Sequence, residues 1–303
     1  MTTQIRALAL GFATATASAQ TAPSPQPPVF AAHVESVVID AFVSARPPHA
    51  PRLTAKDFVL IDDGVRQPFD LLPTDDLPMR AVLVFDTSSS MKGAKLDSLR
   101  AAAWSFLEKL RPEDEVALVS FSEEIAWPAP LSRDHEVTRV SLLRLRAAGG
   151  TSAHDALFAA LLLPGSSLRT VVILFTDGED NSSWLGEKQL RAFVERSNSV
   201  IHVVAARSAD FATGFGPRYR APDSSHIKTM RALAEVTGGA LVEVDSAART
   251  EAAFNEIIEA MKGRYVLRYD PESPKPGWHK LEVQLRSGNG KVRGRTGYWV
   301  EKR

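Results

Sequence analysis

The sequence predicts an α/β fold, a doubly wound, mostly parallel sheet with helices on both faces (Rossmann-like), plus a small β-rich lobe from the two ends of the chain. Three observations predict it. Residues 81–85 and 171–175 are continuously apolar, as a strand covered on both faces requires. Between 79 and 262, strand-like runs alternate with helix-like ones, the pattern that builds a parallel sheet with covering helices. The flanking segments, 33–78 and 263–303, carry short β patterns instead.

Taken in order, the chain opens with Arg6 before a short apolar run at 7–13 and a small-residue stretch ending Ala17-Ser18-Ala19-Gln20. That arrangement reads as a secretory leader over 1–19; a disordered tail is the other reading. Its apolar run is far shorter than the ~20 residues that span a bilayer. The Pro-rich stretch 20–32 reads as an extended linker. In 33–78, Val37, Ile39, Ala41 and Val43 alternate along a strand face, and the apolar run 58–61 and the segment Val65 to Leu72 flank Asp62-Asp63-Gly64, a hairpin turn signal. No chemistry is read into this lobe.

After the strand at 81–85, Leu96, Leu99, Ala103, Phe106 and Leu110 fall at helical spacing over 95–110. Further strands are expected at 115–121, 170–175, 200–205 and 240–244, with helices at 135–146, 153–163, 187–197, 226–236 and 250–262. The tail reads as strands at 265–269, 281–285 and 298–300, expected to pair with the N-terminal β segment.

Composition narrows the function classes. Of 303 residues, 36 are Lys or Arg and 36 are Asp or Glu, so neither nucleic acid nor an anionic membrane is the expected main partner. The absence of cysteine removes disulfides, thiol catalysis and Cys-ligated zinc. The seven histidines show no zinc spacing.

Two apolar strands each run into an aspartate, as Phe85-Asp86-Thr87-Ser88-Ser89-Ser90 and as Phe175-Thr176-Asp177-Gly178, with Gly149-Gly150-Thr151-Ser152 between them. In an open parallel sheet both aspartates reach the carboxyl edge, where ligands bind. Two carboxylates with neutral hydroxyls make an oxygen-only shell suited to Mg²⁺, with Mn²⁺ or Ca²⁺ as alternatives. Two negative charges would leave such an ion electrophilic toward an outside anion.

Asp86-Thr87-Ser88-Ser89-Ser90 resembles the D-x-S-x-S motif of the metal-ion-dependent adhesion site of von Willebrand factor type A domains. Thr151 and Asp177-Gly178 are similar to that family's separate threonine and second aspartate. The resemblance covers about 79–262; Leu53 to Gly64, Tyr265 to Tyr269 and Arg293 to Tyr298 are also similar to exported bacterial proteins of this family. It implies a metal held by Asp86, Ser88, Ser90, Thr151 and Asp177, a protein ligand offering an Asp or Glu carboxylate, no enzyme activity, and a periplasmic or extracellular location. Ser89 departs from the family's frequent glycine, which tests the loop wherever positive φ is needed.

Other readings stay open. A haloacid dehalogenase-type phosphohydrolase also places an aspartate after a buried strand, but it needs an acid two positions on, where Ser88 stands, and no lysine sits in a clear supporting motif. A purely structural metal is the third reading. Asp155 either caps its helix or supports the metal shell, and Glu179 and Asp180 either orient water or the loop or, by default, are solvated carboxylates. The stretch 207–223, with Arg218-Tyr219-Arg220, reads either as a partner-selecting loop or as an ordinary surface loop.

Overall fold

Every side chain of the strand Arg80–Asp86 is buried, which is what a central strand with helices on both faces requires. The computed structural model describes residues 36–44, 51–74, 78–163, 170–177, 180–207, 225–272, 274–287 and 290–302. The expected leader and linker at 1–32, Gly178, Glu179, and 208–223 with Arg218, Tyr219 and Arg220 lie outside the described residues.

In chain order the elements are β1 (Val37–Ser44), β2 (Phe58–Asp62), β3 (Val65–Gln67), β4 (Asp70–Leu72), β5 (Arg80–Asp86), α1 (Ala94–Glu108), β6 (Glu115–Phe121), β7 (Ile125–Ser132), α2 (His135–Arg144) and α3 (Ala153–Leu161). There follow β8 (Thr170–Thr176), α4 (Glu187–Arg196), β9 (Val200–Ala206), α5 (Ser225–Val236), β10 (Leu241–Val244), α6 (Ala247–Lys262), β11 (Tyr265–Tyr269), β12 (Gly277–Leu285), β13 (Lys291–Arg293) and β14 (Gly297–Val300). No helix among the described residues is long and apolar enough to cross a membrane.

The central sheet runs β10-β9-β8-β5-β6-β7, parallel except for β7, which is antiparallel to β6. Strand pleating sends alternate residues to opposite faces. Ala81, Leu83 and Phe85 therefore join α1, α2 and α6 in one core, while Val82 and Val84 join α3, α4 and α5 in the other. This is the doubly wound fold that the alternation predicts. The edge strand β7 was not expected. Pro128 and Pro130 argue against a strand, yet an edge strand tolerates prolines, and its register with β6 is broken by two shifts.

The flanking segments do pair with each other, as two four-stranded antiparallel sheets ordered β13-β1-β11-β4 and β14-β12-β2-β3. Ile39, Phe58, Leu60, Leu267 and Leu281 pack in a core of their own. The run 65–72 is two strands rather than one: β3 pairs with β2 and β4 with β11. Pro68 between them fixes φ and lacks an N–H, so the chain changes sheet there.

The tail resembling the family's holds the lobe on the central domain. Arg293 Nε donates to the Gly238 carbonyl at 2.9 Å, and Thr296 N donates to the Val236 carbonyl at 3.1 Å. Buried Arg295 donates to the Gly297 carbonyl and to Asn198 Oδ1, at 2.7 and 2.8 Å. The Arg196 guanidinium lies 4.1 Å above the Trp299 ring.

Candidate metal centre

β5 has β6 on one side and β8 on the other. After β5 the chain winds one way, and from β8 it winds the other, so the crevice between these strands is a topological switch point. Asp86 is the last residue of β5 and Asp177 directly follows β8.

Their neighbours form one hydrogen-bonded array. Asp86 is fully buried; its Oδ1 accepts from Ser88 N and its Oδ2 from Thr176 Oγ1, both at 2.8 Å. Ser88 Oγ lies 3.0 Å from Ser90 Oγ, which donates to Asp177 Oδ1 at 2.6 Å. Burial pushes the Asp86 carboxyl above the usual carboxylate range and the nearby Asp177 charge adds to this, while bonds from Ser88 and Thr176 pull it back.

The glycine loop that carries Thr151 is tied to the array through Ser89, while Thr151 itself bonds the loop after β8. Ser89 N donates to the Gly149 carbonyl at 3.0 Å, and Thr151 N donates to Asn181 Oδ1 at 2.9 Å. Thr151 is buried, and its carbonyl accepts from the amides of Asn181 and Ser182. The glycines before it have separate reasons. Gly149 takes φ of 79°, and a Cβ on Gly150 would stand 2.4 Å from Ser182 Oγ. Ser89, where the family often has glycine, is not strained, because the one non-glycine with positive φ among the described residues is Asp63.

One participant was missed. Lys95, expected simply to open a helix, is buried, and its Nζ donates to the Asp177 carboxylate and, at 3.2 Å, to the Ser90 carbonyl. Two carboxylates and one ammonium leave the pocket with one net negative charge. The acceptors are all hard oxygens, and one position beside Asp177 already takes a cation. The residues present therefore fit a small divalent ion.

The loop after β8 is built by two carboxylates. Asp155 accepts from the amides of Trp184 and Leu185, both at 2.9 Å, so it anchors this loop rather than capping its helix. Asp180 orients the loop, the other of its two readings, rather than being solvated; it accepts from His154 N at 2.8 Å and from Ser183 Oγ at 2.6 Å. The loop presents Trp184 almost fully to solvent, 98% exposed. Beside the β5 loop lies a cavity of about 340 Å³ lined by Thr87, Ser120, Ser141, Arg144 and Arg146 among others.

A sequence model of the von Willebrand factor type A domain matches residues 81–179, which hold both strand-end aspartates and the glycine loop. The chain carries a von Willebrand factor type A domain. Human inter-alpha-trypsin inhibitor heavy chain H4 is 31% identical over 154 residues, 46% of this chain and 16% of that protein. Heavy chain H2 of Sus scrofa is 29% identical over 131 residues, 38% of this chain and 14% of that protein. The chain thus spans about a sixth of the length of the curated relatives it matches. A solved von Willebrand factor type A structure from Catenulispora acidiphila shares the fold, with a TM-score of 0.53 at 15% identity, over 82% of this chain and 75% of that one. Von Willebrand factor type A domains mediate protein–protein interaction as adhesion or scaffold modules, and they often bind a divalent metal.

The lobe also holds a cluster that the sequence reading missed. Asp62, Asp63 and His279 bring one ligand atom each within 4.8 Å of one another. Asp62-Asp63 read as a turn and His279 as an isolated histidine; the β2–β12 pairing that joins them has no local sequence signal.

Proposed function

We propose that this protein is a divalent-metal-dependent protein-binding module, an adhesion or scaffold component rather than an enzyme. Asp86, Ser88, Ser90, Thr151 and Asp177 would hold the ion, with Mg²⁺ the fitting choice and Mn²⁺ or Ca²⁺ alternatives. When bound, the ion supplies a Lewis-acidic point for a carboxylate oxygen of a partner's Asp or Glu. The observation that carries this reading is the Ser90 to Asp177 bond at 2.6 Å, which joins two loops 87 residues apart at the switch point.

Charge supports the acidic partner. Asp86, Asp177 and Lys95 sum to one negative charge, so a divalent ion leaves one positive charge for one incoming carboxylate to neutralise. Arg144 and Arg146, at the cavity beside Thr87, would receive further acidic groups. Exposed Trp184 is suited to anchor the partner, since tryptophan and arginine dominate binding hot spots. Export, to the periplasm or beyond, goes with the leader-like start.

A phosphohydrolase draws no support. Position 88, where that chemistry needs an acid, is a serine bonded to Ser90.

Isothermal titration with Mg²⁺ and Mn²⁺ tests the site. The wild-type chain is expected to bind one ion, and Asp86→Ala and Asp177→Ala to bind none there; equal affinity in all three would remove the assignment. Capture from the exporting cell's envelope, with and without chelator, tests the function. A chain stabilised by Mg²⁺ but capturing nothing in a metal-dependent way would leave a purely structural ion.

A further inference from the structure

We propose that Asp62, Asp63 and His279 form a second cation site, of zinc character, in the β-rich lobe. The proposal is independent of the centre at Asp86 and Asp177 and takes a different class of ion.

The geometry starts from the turn between β2 and β3. Asp63 takes φ of 46° there, a left-handed conformation that aspartate tolerates because its short side chain bonds locally. Asp63 N donates to the Lys280 carbonyl, and Lys280 N donates to Asp63 Oδ1, both at 2.9 Å. These bonds, with the pairing of Asp62 against Leu281, bring His279 beside both aspartates. His279 Nδ1 lies 2.9 Å from Asp63 Oδ2 and 3.6 Å from Asp62 Oδ1.

The histidine's far nitrogen decides what its near one offers. His279 Nε2 lies 2.7 Å from the Lys275 carbonyl oxygen, which can accept but not donate. Nε2 therefore donates there, which leaves Nδ1 as the ring atom that faces the two carboxylate oxygens. One ligand atom each from His279, Asp62 and Asp63 lies within 4.8 Å of the others, and a metal ion bound there would take the place of any proton on Nδ1. A histidine that donates one ring N–H to a backbone carbonyl while ligating through the other nitrogen is the usual setting of a metal-bound imidazole.

Asp62 supplies a second, separate observation. It is only 7% exposed, and its Oδ2 accepts both the Tyr269 and Tyr298 hydroxyls, at 2.9 and 3.0 Å. Burial raises both phenols well above their ordinary range, so they stay protonated donors and fix the carboxylate's orientation. Its Oδ1 is buried without a hydrogen-bond partner and faces His279. Buried polar atoms are rarely left so.

The donors select the ion. The separations of 2.9 and 3.6 Å bracket the ~3.3 Å edge of a tetrahedron with bonds of ~2.0 Å, the size of a zinc site. An imidazole nitrogen among the ligands disfavours Mg²⁺ and Ca²⁺, which prefer all-oxygen shells. Two carboxylates neutralise the ion, and half-exposed Asp63 leaves the fourth place open to water. Such an ion would clamp the β2–β3 turn to β12.

The test uses the full chain, stripped with chelator and kept in excess Mg²⁺, titrated with Zn²⁺ by calorimetry and with Co²⁺ by visible absorption. One Zn²⁺ per chain and a tetrahedral-intensity Co²⁺ band are expected. Asp63→Asn preserves the turn and its Oδ1 acceptor, and it should weaken Zn²⁺ by at least about tenfold; His279→Gln should abolish the Co²⁺ band. Both variants should keep the wild-type circular dichroism and Mg²⁺ isotherm. Failure of the wild type to take up Zn²⁺ saturably, or an unchanged isotherm in Asp63→Asn, overturns the proposal and leaves an imidazolium–carboxylate pair.

Discussion

The Lys95 ammonium donates to the Asp177 carboxylate across 82 residues of sequence, and both side chains are shielded from water, at 10% and 0% exposure. The pair sits where β8 ends and α1 begins, so the aspartate proposed to hold the ion has a cationic partner built into the fold. Its consequence is a trade between stability without metal and affinity for it.

Lys95→Met removes the ammonium and leaves the buried Asp177 facing Asp86 without it. Loss of one partner of a buried pair costs about 3–5 kcal/mol, so the metal-free variant should melt well below the wild type. Mg²⁺ would no longer compete with the ammonium for Asp177, and its affinity should rise by at least about tenfold, since close like charges repel strongly in a shielded site. Thermal melts with and without Mg²⁺, beside calorimetry, check both halves. Weaker Mg²⁺ binding in Lys95→Met would show that the lysine assists the ion rather than opposing it.

The glycine loop makes a second prediction. Gly149 holds φ of 79°, and an L side chain there costs about 1–2 kcal/mol. Gly149→Ala should destabilise the chain by that amount in urea unfolding. It should also weaken Mg²⁺, because the Gly149 carbonyl holds Ser89 N at 3.0 Å. Unchanged metal affinity with the expected stability loss would separate this loop from the site.

Much of this was legible in the chain because it follows from local rules. β5 and β8 announce themselves by unbroken apolar runs, and two strands that run into aspartates in one parallel sheet must bring Asp86 and Asp177 to the same edge. What stayed hidden depends on partners remote in sequence. Lys95 has the position of any helix-start lysine until Asp177 is placed beside it. Asp155 looks like a helix-start carboxylate, yet it receives the amides of Trp184 and Leu185. His279 meets Asp62 only through the β2–β12 pairing, and β7 was masked by two prolines that only an edge tolerates.

Arg295 tests how the lobe is fastened. It is buried and bonded to Gly297 and Asn198 at 2.7 and 2.8 Å, so truncation leaves acceptors on both lobe and domain without their charged donor. Arg295→Ala should cost about 2–3 kcal/mol, read by urea unfolding. Its partners Ser197 and Asn198 precede β9, at the opposite edge of the parallel sheet from Asp86 and Asp177, so Mg²⁺ affinity should not change. A second unfolding transition in the variant would show that the lobe then melts on its own.

The last prediction concerns acid. His202 lies in β9, 2% exposed, against Phe42 of the lobe. Burial, with the Arg293 charge adding to it, pushes its imidazole down from 6.5 to about 3. Folding therefore holds this ring neutral, while the unfolded chain binds a proton below about pH 6.5. Because the unfolded state binds more protons in that window, stability falls as the pH falls from about 6.5 toward 3 and is fully retained above it. Between neutrality and about pH 4.5 the loss from this one group should be about 2–3 kcal/mol. His202→Leu removes the titration and an Nε2 that has no hydrogen-bond partner, so it should leave neutral stability within about 1.5 kcal/mol while flattening the acid limb. Urea unfolding at a series of pH values compares the two slopes, and identical slopes would mean that His202 is already charged in the fold or that water reaches it.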